Sequence, residues 1–143
     1  MSKTELVQTS TLRIGNFLVV DGKPCRITNM STAKPGKHGS SKTIFITKDV
    51  LSGKNVEHSA PSKGMVSVPE IIRDTYAVLD VSDEGFLSLM KNGVIREDVR
   101  LPDDSIGQEI KTLLEREITP EIVLMTVLDH NIVLSVRESS ETL

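Results

Sequence analysis

The chain has 143 residues, with 17 Lys/Arg against 20 Asp/Glu, a formal net charge of −3 and 38% hydrophobic residues, enough for one ordinary domain or two small ones. No apolar run approaches the roughly 18 to 20 residues of a membrane helix, and the opening MSKTELVQTS lacks the apolar stretch of a secretory signal. A single cysteine, Cys25, excludes an internal disulfide, so a soluble, cytoplasmic protein with a buried, inert thiol is expected.

The near-neutral total hides a polarised molecule. Residues 1–70 hold ten Lys/Arg and five Asp/Glu, a net +5, whereas residues 71–143 hold seven and fifteen, a net −8. Asymmetry of this size points to a basic face for a polyanion; the acidic half contacts a basic partner or is simply solvated.

In chain order, residues 1–10 read as a flexible tail. Short runs rich in Val, Ile, Phe and Thr then follow at 16–20, 25–30 and 43–47, separated by turn residues such as Asp21-Gly22-Lys23-Pro24 and Ser52-Gly53-Lys54. That is the strand-and-turn pattern of a small all-β barrel. Segment 65–72 contains Val68-Pro69, which marks an edge strand or linker. The charge balance flips just beyond it, so the pattern divides the chain into a first domain at 11–72 and a second at 73–143.

The second half predicts strands at 76–81, 86–90, 94–101, 121–128 and 132–137. Between the third and fourth the period changes: Ile106, Ile110, Leu113 and Leu114 recur at helical spacing, and Ser105 with Gln108 makes a capping box. Gly107 costs that helix about 1 kcal/mol relative to Ala. Five strands with one short helix in that place is the order of an oligonucleotide/oligosaccharide-binding (OB-fold) barrel.

Between the second and third strands of the first half runs Ser31-Thr32-Ala33-Lys34-Pro35-Gly36-Lys37-His38-Gly39-Ser40-Ser41-Lys42, a connection long enough to suggest function. Gly36 and Gly39 bracket Lys37-His38 and permit the backbone to push both outward, while Lys34 and Lys42 add charge on the flanks. A phosphate loop of the Walker type fails here, because Ser41 stands where that motif needs Gly and a strand follows where it needs a helix. A Schiff-base lysine wants a desolvated amine, and these lysines lie on a thin loop. What remains is a solvated basic loop or a phosphate-contacting prong. The few aromatics, Phe17, Phe45, Tyr76 and Phe86, all fall in apolar runs and offer no stacking platform, so docking on structured RNA by charge and shape is favoured over base reading. No catalytic constellation and no metal set is expected, since His38, His58 and His130 are scattered.

Lys34 to Lys42 closely resembles the modification loop of the eukaryotic and archaeal translation factor 5A family. Phe86-Leu87-Ser88-Leu89-Met90, Arg96-Glu97-Asp98-Val99-Arg100-Leu101-Pro102 and Ile106-Gly107-Gln108-Glu109-Ile110 resemble its eukaryotic branch. Pro35 and Ser40-Ser41 depart toward the archaeal style. The resemblance implies a mainly β protein, an SH3-like barrel followed by the OB-fold barrel, and a non-enzymatic factor that binds the large ribosomal subunit and peptidyl-tRNA. It further implies that Lys37 receives an aminobutyl group from spermidine through deoxyhypusine synthase and is completed to hypusine by deoxyhypusine hydroxylase, with no other cofactor. The modified side chain is then directed at the acceptor end of peptidyl-tRNA, relieving stalls such as polyproline and assisting termination. Gly36, His38 and Gly39 would present Lys37, and Lys34 and Lys42 would meet RNA phosphate. A plain RNA-binding module without the modification is the competing reading.

Overall fold

The computed structural model describes residues 3–34 and 40–139. Eleven strands and one α-helix are present among them, with a 3-10 turn at Thr9–Thr11. The chain divides into two compact units, Met1–Glu70 with Val127–Asp129, and Ile71–Thr126 with His130–Leu143.

The first unit contains β1 (Thr4–Gln8), β2 (Phe17–Val20), β3 (Lys23–Ala33), β4 (Lys42–Asp49), β5 (Asn55–Pro61) and β6 (Met65–Pro69). Strands β2, β3, β4 and β5 form a four-stranded sheet in that order, and β1 pairs with β6 in a small second sheet. Leu12, Leu18, Cys25, Ile27, Phe45 and Val66 fill the core of this SH3-like curled sheet. Phe45 and Cys25 are fully buried, and burial pushes the Cys25 thiol pKa up.

Two features differ from the sequence reading. Residues 1–10, expected as a tail, contain β1, whose register pairs Thr4 with Pro69 and Gln8 with Met65. Strand β5 was not predicted either, because its sequence Asn55-Val56-Glu57-His58-Ser59-Ala60-Pro61 buries only Ala60 and half-buries Val56 and His58. Its alternation is real but carried by small and polar side chains, which a hydrophobic pattern does not register. Pro69 ends β6 in the two-stranded sheet, consistent with the edge position its missing N–H requires.

A bulge sets which residues of β3 face inward. Ile27 pairs with Thr47, but Asn29 pairs with Ile46, leaving Thr28 as the extra residue. Thr28 donates its hydroxyl to the Ile46 carbonyl at 3.0 Å. The shift by one brings Met30, rather than Asn29, against the core.

The second unit contains β7 (Ile71–Val81), β8 (Phe86–Lys91), β9 (Val94–Arg100), α1 (Ser105–Glu115), β10 (Pro120–Val127) and β11 (His130–Glu138). Its five-stranded sheet runs β11-β10-β7-β8-β9, the OB-type order that the sequence predicts. Val78, Leu87, Leu89, Ile110, Ile122 and Leu124 form the core. The helix starts one residue earlier than the capping-box reading implies. Asp104 is the N-cap, its carboxylate accepting from the N–H groups of Ile106 at 3.0 Å and Gly107 at 3.4 Å. Gly107 is present for a steric reason that outweighs its propensity cost: a Cβ there would lie 1.9 Å from the Pro102 carbonyl oxygen.

Candidate functional site: the β3–β4 hairpin and its root

Strands β3 and β4 pair without further interruption from Asn29↔Ile46 to Ala33↔Lys42. The alternation on β4 buries Thr43, Phe45, Thr47 and Asp49 and turns Lys42 and Lys48 outward. The buried set anchors the hairpin: Thr47 donates its hydroxyl to the Val56 carbonyl at 2.7 Å, and the Asp49 carboxylate accepts from the Leu51 N–H at 2.9 Å. That hydrogen bond holds the Asp49 pKa below the usual carboxylate range.

Of the residues singled out from the sequence, Lys34 and Lys42 are placed on the two arms of the hairpin, both exposed. Gly36, Lys37, His38 and Gly39 lie outside the described residues, as does Pro35. Neither Lys34 nor Lys42 belongs to an ion pair among the described residues; the pairs present are Lys91–Asp74, Arg96–Asp98 and Arg137–Glu121. Among the described residues there is no group of three or more His, Cys, Asp or Glu placed to hold a metal. No helix is long and apolar enough to cross a membrane.

The root of the hairpin contains residues that sequence reasoning missed. Strand β5 pairs with β4 so that Lys42 faces Pro61 and Thr43 faces Ala60, which carries the following turn, Ser62-Lys63-Gly64, to the base of the loop. Lys34, Ser40, Ser41, Pro61, Lys63 and Gly64 line a cleft of about 450 Å³ there. Lys63 is 29 positions from Lys34 in the chain, and only the unpredicted β5 register brings the two together. The sole sequence signal was another lysine in a Ser-Lys-Gly turn.

The aromatic side chains enter the cores to different depths, Tyr76 packing against that of the second unit. Phe45 is fully buried, but Phe17, Tyr76 and Phe86 are only partly so. The Arg96 guanidinium lies 5.6 Å and the Lys91 ammonium 5.9 Å from the Tyr76 ring centroid, and the Arg100 guanidinium lies 4.6 Å from that of Phe86. These rings are covered by the chain's own cations and do not form an open stacking surface.

Comparison with known proteins accords with this geometry. Residues 2–64 match the family described as "Translation initiation factor 5A-like, N-terminal", and residues 70–137 match "Eukaryotic elongation factor 5A hypusine, DNA-binding OB fold". The chain belongs to the translation factor 5A family. It is 40% identical to eukaryotic translation initiation factor 5A of Dictyostelium discoideum over 97% of this chain and 87% of that one. Against factor 5A-1 of Saccharomyces cerevisiae the identity is 34%, over 99% of this chain and 90% of that one. A solved factor 5A family protein from Naegleria fowleri superposes with a TM-score of 0.84 at 28% identity, covering 94% of this chain and 98% of that one. The factor from Methanococcus jannaschii gives 0.75 at 26% identity, with coverages of 94% and 95%. Membership in this family assigns the chain a role as a translation factor.

Proposed function

We infer that the chain is a ribosome-binding factor that promotes elongation through stalling sequences, such as polyproline, and termination, with a hypusine-modified Lys37 as its working group. The observation that carries this reading is that the sequence Lys34-Pro35-Gly36-Lys37-His38-Gly39 falls between β3 and β4, which pair as a long β-hairpin, in a family whose description names hypusine. Deoxyhypusine synthase would transfer the aminobutyl group of spermidine to Lys37: the new bond forms at Nζ as a C–N bond of spermidine breaks, and the three-carbon diamine leaves. Deoxyhypusine hydroxylase then completes the residue.

Lengthening Lys37 with a second amine adds reach and charge, so the tip holds the acceptor end of peptidyl-tRNA in a productive pose while the ribosome carries out the chemistry. This is orientation rather than covalent catalysis. Gly36, His38 and Gly39 present Lys37 to the modifying enzymes. Lys34 and Lys42, exposed and outside any described ion pair, meet RNA phosphate. The partners are therefore the large ribosomal subunit, peptidyl-tRNA and the two modifying enzymes, in the cytoplasm.

Lys37→Arg tests this. Arginine keeps the charge but offers no primary amine for the transfer, so the variant should fail to support translation of proline-rich messages in cells lacking the native factor. Support equal to wild type would overturn the hypusine mechanism and favour a plain RNA-binding module.

A further inference from the structure

The cleft at the hairpin root is lined by two lysines, Lys34 and Lys63, by two serines, Ser40 and Ser41, and by no Asp or Glu among the described residues. Neither lysine belongs to an ion pair there. Like charges held around a shared cleft repel one another, and an anion seated between them relieves that repulsion.

The frame beneath the two lysines is fixed. Ser62 donates its backbone N–H to the Ser41 carbonyl at 3.1 Å, and Gly64 donates to the Pro61 carbonyl at 2.9 Å. The Thr43 and Ser62 hydroxyls are 2.9 Å apart. The Gly64 carbonyl accepts from both the N–H and the hydroxyl of Thr9, at 3.0 and 3.1 Å, and Thr9 is fully buried. Lys63 therefore projects from a turn tied to β1's end, to β4 and to β5, and little order has to be created on binding.

A second recess of about 310 Å³ shares Ser41 with this cleft, and its lining residues include Ser10, Ser31, Thr32 and Ser62. Ammonium and hydroxyl donors together are the side chains that contact phosphate and sugar in nucleic-acid complexes. With no Phe, Tyr, Trp or His among the described residues that line either recess, the site suits backbone rather than bases.

We propose that Lys63, together with Lys34, Ser40 and Ser41, forms a phosphodiester-binding cleft that grips one backbone phosphate of the RNA whose end the hairpin tip addresses. This rests on the function inferred above and adds a contact beside the loop. Lys63 is a positioning residue: it holds the RNA in register for Lys37 and takes no part in the chemistry.

The test is a salt titration of binding by the full chain to an acceptor-stem RNA minihelix with a single-stranded 3′ end. Loss of one phosphate contact reduces the slope of log affinity against log salt by about 0.7 to 0.9. Lys63→Ala should show that reduction and Lys63→Arg should restore the wild-type slope. Lys54→Ala, which removes the same charge from the turn at the opposite end of the β4–β5 pair, should leave the slope unchanged. A Lys63→Ala slope equal to that of Lys54→Ala overturns the cleft. If Lys37→Arg nonetheless abolishes activity on proline-rich messages, the inferred function stands without it. If Lys37→Arg retains full activity, the inferred function fails whatever the slope at Lys63.

Discussion

The two units use their cations differently. In the second, which is acidic in sequence, Lys91, Arg96 and Arg137 are each joined to a carboxylate, and Arg96, Lys91 and Arg100 also lie over aromatic rings. In the first, which carries the excess of basic residues, no ion pair occurs among the described residues, and Arg13 is engaged by the carbonyls of Ser10 and Leu12. Arg26 and Lys48 even face each other across β3 and β4. The contrast separates cations that hold a fold together from cations left for something outside it.

Substitutions can break this comparison in either unit. The largest effect on stability is expected at Gly107. Placing a Cβ against the Pro102 carbonyl forces the start of α1 away from its strand connection, so Gly107→Ala should cost about 1 to 3 kcal/mol or more in urea unfolding. A small or favourable change, as helix propensity alone predicts, would contradict the steric account.

Arg96→Ala comes next. It removes the hydrogen bonds to Asp98 at 2.7 and 2.8 Å, the 3.2 Å contact with the Tyr76 hydroxyl and the cation over that ring. The expected cost is about 1 kcal/mol. Lys42→Ala, in the first unit, should change stability by less than about 0.5 kcal/mol while weakening RNA binding. Equal stability losses from the two would erase the distinction between structural and available cations.

Acid should act on the first unit through Asp49. Its pKa is lowered in the folded state, chiefly by the Leu51 N–H, so its contribution is complete above the ordinary carboxylate range and is lost as pH falls through the lowered value. The stability of Asp49→Asn should therefore fall less steeply than wild type in an acid titration followed by circular dichroism. Parallel curves would show that another group governs the loss.

One further small effect has the opposite sign. Lys48→Glu converts the Arg26↔Lys48 pair into an attractive one and should stabilise by roughly 0.2 to 1 kcal/mol in denaturant melts at low salt. A destabilisation would show that Arg26 and Lys48 do not repel one another across the sheet.

Much of the fold was legible because its signals are periodic. The switch from strand to helical spacing at Ile106, Ile110 and Leu113 locates α1, and all three are buried or packed on the core. Strands β1 and β5 were illegible for a physical reason. Leu6 of β1 is 68% exposed, and β5 alternates polar with small residues, so neither carries the contrast that pattern reading needs. Missing β5 hid the approach of Lys63 to Lys34, since that proximity depends on the Lys42↔Pro61 register. The Gly107 steric role was likewise invisible, because it depends on where the Pro102 carbonyl ends up. The hairpin lysines themselves could be read as a charged prong from composition and glycine placement, but the role assigned to Lys37 came from resemblance alone.

The most direct test is peptide mass spectrometry of the protein purified from its native cells, covering the segment that contains Lys37. A hypusine or deoxyhypusine mass is expected on Lys37, with Lys34 and Lys42 unmodified. An unmodified Lys37 throughout active native material would contradict it.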